Sequence, residues 1–304
     1  NVVIGCVDTN GLVAGRGIER LQKAGIHVIV GVLEEECRTH HKRFFTVQEQ
    51  KRPYIILKWA ETKDGFIYPE LVSESNELVS KSNRRLYEDE VLTKRKNEDE
   101  VIFDSNSKNS NNRLLQHKKT LRKDASPIWI SNKYSQQLVH KLRAKEHAIL
   151  VGTNTAIADN PKLNVRSWTG NNPVRIVLDS SFRIPKKANI YDGSVKTIFI
   201  TNNRNKGFKP LVTKDNIIFE EIDFSKNIAQ QICAVLQKHN IQSVIIEGGT
   251  QTLQTFIDAN LWDEALVFTG DTTFKKGIKA PVLSAKITSE EKIKNDILKT
   301  YTND

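Results

Sequence analysis

The sequence lacks methionine and has only three cysteines among its 304 residues. Cys6, Cys37 and Cys233 lie far apart, and no CxxC pair occurs. This usage excludes a disulfide framework and a cysteine zinc site. It predicts buried thiols in a reducing compartment, which we expect to be the cytoplasm. Because the segment from Val2 to Cys6 already has the pattern of a strand interior, we expect the natural chain to begin further upstream.

Long apolar runs and common hydrolase motifs are also absent. No apolar run reaches about 18 residues, so we expect no transmembrane helix. Neither GxSxG nor HExxH occurs, which excludes the usual serine elbow and zinc-protease helix. The seven histidines are scattered, and we interpret them as surface or hydrogen-bonded residues. We therefore predict no metal site in this chain.

One segment approaches a dinucleotide-binding fingerprint but does not complete it. Gly15 and Gly17 would need a third glycine at the position that Arg20 occupies, and no acidic residue closes a following strand. We interpret these glycines as a tight turn into a helix.

The chain carries an excess of positive charge, with a formal net charge of +10 and a pI near 9.4. Such a balance admits a nucleic-acid partner. However, the excess is spread as single lysines, and no arginine-rich stretch with interleaved aromatics occurs. A phosphorylated metabolite explains the charge equally well, so we predict a small-molecule partner and neither nucleic acid nor membrane.

Strand and helix patterns alternate along most of the chain, which predicts an α/β fold with a largely parallel sheet. The composition turns polar from Gln48 to Pro53, and we place a domain boundary there, between residues 1–48 and 52–304. Within the first part, Glu34 to about Phe45 is predicted as one amphipathic helix. Residues 69–125 lack periodicity and are rich in Ser, Asn and charge, which predicts a mobile surface insertion.

Several predicted strands end in polar side chains, and these ends form a candidate site. The segments are Lys58–Asp64, a presumed polar loop over Gly152–Asp159, Asp179–Ser180 and Glu247–Thr250. In the last segment two glycines precede a helix, an arrangement that can cradle phosphate. Carboxyl ends of parallel strands meet at one edge, so we predict a shared cleft for a nucleotide-type cofactor. For Lys58 itself, a solvent-facing position on an edge strand remains an equal alternative.

From residue 52 onward the chain resembles the reductase domain of the bifunctional riboflavin-biosynthesis deaminase/reductase family, a relative of dihydrofolate reductase. The matching motifs are Leu57-Lys-Trp-Ala60 with Asp64-Gly65, Trp129-Ile-Ser131, Leu142-Arg-Ala144, Val151-Gly-Thr-Asn-Thr155, Ala158-Asp-Asn-Pro161 with Leu163 and Arg166, Val174-Arg-Ile-Val-Leu-Asp-Ser180, and Glu247-Gly-Gly249 with Leu261-Trp-Asp-Glu264. Residues 1–48 resemble the end of the family's deaminase domain. The resemblance implies a dihydrofolate-reductase-like α/β reductase domain preceded by that remnant.

The resemblance also implies roles for individual residues. Residues expected to contact NADPH are Glu61 (through its main chain), Trp129, Thr155, Asp159, Ser180, Gly249 and Thr250. Residues expected to contact the substrate are Ser126, Arg143, Leu163, Arg166 and Glu247, with the two arginines suited to a ribose phosphate. Lys58 or Asp159 is expected to handle the proton.

The implied reaction is NADPH-dependent reduction of 5-amino-6-(5-phosphoribosylamino)uracil to the ribitylamino product. The family's deaminase uses a His-x-Glu motif and paired cysteines, which this chain lacks, so zinc and deamination are expected only in an upstream half. A homodimer is expected by analogy. Alternatives are a reductase for a related pyrimidine, a non-catalytic nucleotide-binding module and a basic RNA-binding protein.

Overall fold

The computed structural model describes residues 1–70, 129–202 and 214–303. The predicted insertion, apart from residues 69 and 70, and the predicted substrate residue Ser126 lie outside the described residues. The described strands are β1 (Val2–Ile4), β2 (Val28–Val30), β3 (Tyr54–Thr62), β4 (Phe66–Pro69), β5 (Ala148–Gly152), β6 (Val174–Leu178), β7 (Thr197–Asn202), β8 (Ile217–Ile222), β9 (Ser243–Gly248), β10 (Glu264–Gly270), β11 (Gly277–Lys279), β12 (Lys286–Ile293) and β13 (Asp296–Thr302). The described α-helices are α1 (Arg16–Lys23), α2 (Glu34–His40), α3 (Lys42–Phe45), α4 (Lys133–Lys145), α5 (Thr153–Asp159), α6 (Ile228–Lys238) and α7 (Thr250–Asp258).

The first fifty residues contain a small parallel β1–β2 pair with α1 between the strands. The single helix predicted from Glu34 to Phe45 is wrong: it is divided into α2 and α3 at His41, and a π-helical turn over Thr46–Gln50 follows. Thr39, His40 and His41 are weaker helix formers than the glutamates that begin α2, so the break falls where propensity is lowest.

A central sheet holds nine of the described strands, in the order β12-β13-β10-β3-β9-β5-β6-β7-β8. Every neighbouring pair from β10 to β8 is parallel. The β12–β13 hairpin continues the sheet antiparallel beyond β10. The predicted α/β fold with a mostly parallel sheet is therefore confirmed. A second small sheet pairs β4 with β11.

The inner strands of the central sheet are buried on both faces, and alternate residues of each strand point to opposite faces. On β5, Ala148 and Leu150 pack into one hydrophobic cluster with α6 and α7, while Ile149 and Val151 pack into a second cluster on the other face. The same alternation on β3 places Leu57 in the first cluster. Lys58 therefore projects from the opposite face of the sheet.

The segment after Val151 departs from the prediction. We expected a polar loop, but Thr153–Asp159 form helix α5. Thr153 and Thr155 led to the prediction of a loop, because hydroxyl side chains are typical of loops. In the structure, the Thr153 hydroxyl donates a hydrogen bond to the carbonyl oxygen of Leu178 at 2.6 Å. Ala156 is buried and Ile157 packs beside it in the second cluster, which stabilises the helix by tertiary contact.

The three cysteines are free thiols, one of them buried and two partly exposed. Cys233 is buried on α6, as predicted, and burial raises the pKa of its thiol to about 11. Cys6 and Cys37 are partly exposed, so the prediction of buried thiols is wrong for these two. Among the described helices, none is both long and apolar enough to cross a membrane.

Candidate active site

The candidate site lies where the strand order of the central sheet reverses. The chain runs from β3 to β5, proceeds outward through β6, β7 and β8, and then returns with β9 between β3 and β5. The carboxyl ends of β3, β9 and β5 therefore meet at one point. Such a reversal leaves a crevice in which α/β proteins commonly bind ligands.

A buried ion pair lies beside this crevice. Arg143 of α4 donates from Nε to Glu247 Oε1 at 2.8 Å and from Nη2 to Oε2 at 2.6 Å. Burial alone would raise the pKa of Glu247, but the charges of Arg143 and Lys58 lower it to about 2. A two-pronged bond of this kind fixes the planes of both groups. It joins α4 rigidly to the end of β9.

Lys58 projects into the same region from the middle of β3. β3 lies between β10 and β9, so the alternative of a solvent-facing lysine on an edge strand is wrong. Its Nζ lies 5.7 Å from the centre of the Phe268 ring, and no side chain or carbonyl of the described residues accepts a hydrogen bond from it. Burial lowers the pKa of the ammonium and Arg143 lowers it further, although Glu247 acts in the opposite direction. Lys58 is thus a poorly solvated cation without a bonded acceptor in the described structure.

Arg166 lies on the segment that follows α5. Its backbone N–H donates to Nδ1 of His140 at 3.3 Å, and its Nη1 donates to Oδ1 of Asn164 at 2.7 Å. Arg143 also reaches this segment, because its Nη1 donates to the carbonyl of Asn164 at 3.3 Å. The buried side chain of Leu163 anchors the start of the segment in the second hydrophobic cluster. The guanidinium of Arg166 is held near the ion pair but remains exposed.

The charges of this group do not cancel. Lys58, Arg143 and Arg166 contribute three positive charges, and Glu247 contributes one negative charge. The proximity of Arg143 and burial both lower the pKa of Arg166, which reflects this crowding of cations. An anionic ligand would relieve the repulsion. Because Glu247 already occupies the donors of Arg143, Arg166 is the more accessible of the two predicted phosphate ligands.

Next to the charged group, the glycine turn forms a second candidate subsite. Gly249 precedes α7, and no side chain caps this helix end, so its first N–H groups remain available. A Cβ on Gly249 would lie 3.2 Å from the hydroxyl of Thr155, and one on Gly152 would lie 2.5 Å from that of Thr252. The peptide bond between Gly248 and Gly249 is cis. Backbone donors, two hydroxyls and a helix N-terminus together suit a phosphate.

The remaining predicted residues are distributed around the crevice. Thr155 lies on α5 against the glycine turn, and Asp159 ends the same helix and is exposed. Ser180 follows β6, the neighbour of β5. Glu61 lies near the end of β3, where its carboxylate accepts a bond from the indole of Trp59 at 2.8 Å.

Trp129 belongs to the segment that enters α4. Its indole is largely exposed. The next residue, Ile130, places its carbonyl against Gly270 at the end of β10, so closely that no side chain could be added to that glycine. Trp129 therefore lies at the same edge of the sheet as Glu61, since β10 is paired with β3.

Sequence reasoning missed His140. We interpreted the histidines as surface or hydrogen-bonded residues, and His140 is one of the latter, buried between Arg143 and Arg166, but no role at the site was assigned to it. The available signal was its spacing, because residues three apart on a helix share a face. Among the described residues, no group of three or more His, Cys, Asp or Glu side chains could hold a metal ion.

The fold and this crevice define an α/β protein with a candidate site for anions at the switch point of a parallel sheet. The chain belongs to the family described as the RibD C-terminal domain, whose model matches residues 119–290.

Individual relatives agree with this assignment. A riboflavin biosynthesis protein RibD from Aquifex aeolicus is 32% identical over 280 residues, covering 91% of this chain and 63% of the relative. RibD from Actinobacillus pleuropneumoniae is 28% identical over 255 residues, covering 82% of this chain and 53% of the relative. The chain therefore spans less than two thirds of the length of either relative.

A solved structure matches almost the whole chain. It is a diaminohydroxyphosphoribosylaminopyrimidine deaminase/5-amino-6-(5-phosphoribosylamino)uracil reductase from Thermotoga maritima. The TM-score is 0.72 at 25% sequence identity, and the match covers 99% of this chain and 71% of the other.

Proposed function

We propose that the chain catalyses NADPH-dependent reduction of 5-amino-6-(5-phosphoribosylamino)uracil to the 5-phosphoribitylamino product. The observation that carries this proposal is the convergence of Lys58, Arg143, Arg166 and Glu247 at the switch point, beside the Gly248-Gly249 turn. An excess of cations next to a phosphate cradle suits two anionic ligands, a phosphorylated substrate and a dinucleotide. Membership of the RibD C-terminal domain family supports the choice of reaction.

The glycine turn and its surroundings are proposed as the cofactor side. The N–H groups at the start of α7, including that of Thr250, would hold a phosphate, and a Cβ on Gly249 would lie only 3.2 Å from the Thr155 hydroxyl, so the turn packs closely on α5. Ser180 and Asp159 would complete this side from β6 and α5. Glu61, through its main chain, and Trp129 would hold the other end of the cofactor, at the edge formed by β3 and β10.

The charged group is proposed as the substrate side. The exposed guanidinium of Arg166 would bind the substrate phosphate. Glu247, held by Arg143, would accept hydrogen bonds from the sugar or the pyrimidine, because its lowered pKa keeps it ionised. Leu163 would supply the apolar wall at the start of the Arg166 segment.

NADPH, when bound, supplies the hydride that adds to C1′ of the opened sugar imine. The imine nitrogen must then gain a proton to become the secondary amine. Lys58 is the better proposed donor, because burial and Arg143 lower its pKa and ease release of its proton. Asp159 is exposed at the end of α5 and is the second candidate.

The reaction is tested by mixing the chain with NADPH and the phosphoribosylaminouracil substrate and following the loss of reduced nicotinamide. Substrate-dependent oxidation is expected. A folded sample that binds NADPH without oxidising it would contradict the proposal and favour a non-catalytic nucleotide-binding module.

Replacement of the proposed proton donor tests the chemistry separately. Lys58→Ala should lower kcat by about 100-fold or more, within the range of a lost general acid, while the KM for NADPH stays within a factor of a few. Normal turnover by this variant would rule Lys58 out, and Asp159→Asn would then be the next variant to measure.

We also propose that residues 1–48 correspond to the end of a deaminase domain. The Aquifex match supports this, because it covers 91% of the chain whereas the RibD C-terminal domain model begins at residue 119. Zinc and deamination would belong to the rest of that domain. A homodimer is proposed by analogy with the family, and light scattering would test it.

A further inference from the structure

His140 lies beneath the segment that carries Arg166. Its side chain is buried on α4, three residues before Arg143. Nδ1 of His140 accepts the backbone N–H of Arg166 at 3.3 Å, and one turn later Nη1 of Arg143 donates to the carbonyl of Asn164. Two side chains from one face of α4 therefore hold residues 164–166. Of the two, only His140 bonds to the backbone of Arg166 itself.

The hydrogen bond requires a neutral imidazole. Nδ1 can accept an N–H only while it carries no proton, so the ring proton must reside on Nε2. The charged groups that face the ring are Arg143 on its own helix, Arg166 on the held segment and Glu247 on β9. Burial and the two arginines lower the pKa of His140 to about 4. Protonation would break the bond and add a positive charge between two guanidinium groups.

We propose that neutral His140 is a positioning residue that fixes the backbone of Arg166, so that its guanidinium is set in place for the substrate phosphate. This inference rests on the proposed function of the site, and it adds a residue that does not itself touch the ligands. Arg166 needs such a support because it is exposed and is tied on its own segment only to Asn164. Ordering a long arginine side chain before binding lowers the entropy cost of binding.

The inference is tested with two substitutions that differ in whether an acceptor is kept. His140→Asn keeps an acceptor at the position of Nδ1, whereas His140→Phe fills the space without one. His140→Phe should raise the KM for the phosphorylated substrate about tenfold, the effect of losing one hydrogen bond. Its kcat and its KM for NADPH should stay within twofold of wild type. His140→Asn should restore the substrate KM to within about threefold.

A double-mutant cycle with Arg166→Ala separates positioning from general packing. Arg166→Ala alone should raise the substrate KM, and adding His140→Phe should then cause no further rise, since the two residues act through one contact. Additive effects on the substrate KM in the cycle would overturn this inference and leave the proposed function standing. An unchanged substrate KM for His140→Phe in an active enzyme would do the same. Absence of turnover by the wild-type chain would instead overturn the proposed function, and this inference with it.

Discussion

Two buried arginines, one beside the carboxyl end of β9 and the other near the start of β6, have different surroundings. Arg143 and its partner Glu247 are both largely buried, with side-chain exposures of 12% and 10%. Arg175, near the start of β6, is fully buried, but its partner Asp192 is 38% exposed. Arg175 donates to Asp192 at 2.8 Å and to the Ser194 hydroxyl at 3.3 Å, while its Nε has no partner in the described structure.

The difference shows that a buried arginine is not by itself the mark of a site. Around Arg175, one guanidinium faces one carboxylate that is open to water. Around Arg143, two further cations crowd a single carboxylate at the carboxyl edge of the sheet. The uncompensated charge and its position distinguish the proposed ligand site around Arg143 from the ion pair of Arg175, which joins a loop to a strand.

The largest expected effect comes from replacing each of the two arginines in turn by methionine and comparing the variants. Arg143→Met should lower kcat/KM by about 100-fold or more, because it leaves Glu247 unpaired and releases α4 from β9. It should also cost about 3–5 kcal/mol in free energy of unfolding, the range for breaking a buried ion pair. Arg175→Met should leave kcat/KM within twofold, although it too destabilises the fold. Steady-state kinetics and urea unfolding measure both quantities.

A conservative variant keeps this comparison interpretable if Arg143→Met does not fold. Arg143→Lys retains the charge but not the two-pronged bond. It should fold and still lose at least tenfold in kcat/KM. Equal kinetic losses for the variants at Arg143 and Arg175 would contradict the distinction between the two regions.

An intermediate effect is expected on stability in acid. The pKa of His140 is about 4 in the folded chain against an ordinary 6.5. As the pH falls from 6.5 to 4, the unfolded chain therefore takes up a proton before the folded chain does. The free energy of unfolding should fall over that window by at most about 3 kcal/mol, at roughly 1.4 kcal/mol per pKa unit. Urea unfolding across this range measures it.

The other region should respond at lower pH. Burial raises the pKa of Asp192, but its bonds to Arg175 and Ser194 outweigh burial and lower the pKa to about 2, from an ordinary 3.8. Stability from Asp192 is thus present above pH 3.8 and is lost as the pH falls toward 2. His140→Asn should remove the upper phase. Asp192→Asn should reduce the lower phase without abolishing it, because the pKa of Glu247 is also lowered to about 2. An upper phase that persists in His140→Asn belongs to another group.

The smallest expected effect concerns the proposed cofactor side. Gly249→Ala would place a methyl group 3.2 Å from the Thr155 hydroxyl, a contact that a small shift can relieve. It should raise the KM for NADPH several-fold and leave the substrate KM near its wild-type value. Adding Thr155→Ala to Gly249→Ala should bring the KM for NADPH part of the way back to its wild-type value, unless the Thr155 hydroxyl itself binds the cofactor. A substrate KM that rises as much as that of NADPH would contradict separate subsites.

Local pattern was enough to predict much of the fold. The apolar run over Ala148–Val151 identified an interior strand, because residues buried on both faces form a continuous hydrophobic stretch. The strand from Tyr54 was also predicted, although its place in the sheet was left open. Asn132 has a side chain typical of a helix N-cap, and in the structure it accepts from the N–H groups of Tyr134 and Ser135. Helix α5 was missed, because its stabilising contacts come from distant strands.

The candidate site was predictable in outline but not in its pairing. The resemblance named Arg143 and Glu247, yet the bond between them joins residues 104 positions apart and depends on how α4 packs on the sheet. No local pattern shows that Glu247 occupies the donors of Arg143 and leaves Arg166 exposed. The hydrogen bond that His140 accepts from the backbone N–H of Arg166 could not be predicted either, because the sequence does not show which backbone groups a loop presents.

The most direct test of the proposed reaction follows the hydride itself. The chain is incubated with the phosphoribosylaminouracil substrate and NADPH deuterated at the transferring position, and the product is analysed by mass spectrometry. One deuterium at C1′ of a ribitylamino product is expected, with Arg143→Met giving little product and Arg175→Met giving wild-type amounts. Recovery of unreduced substrate from a folded, NADPH-bound chain would contradict the account.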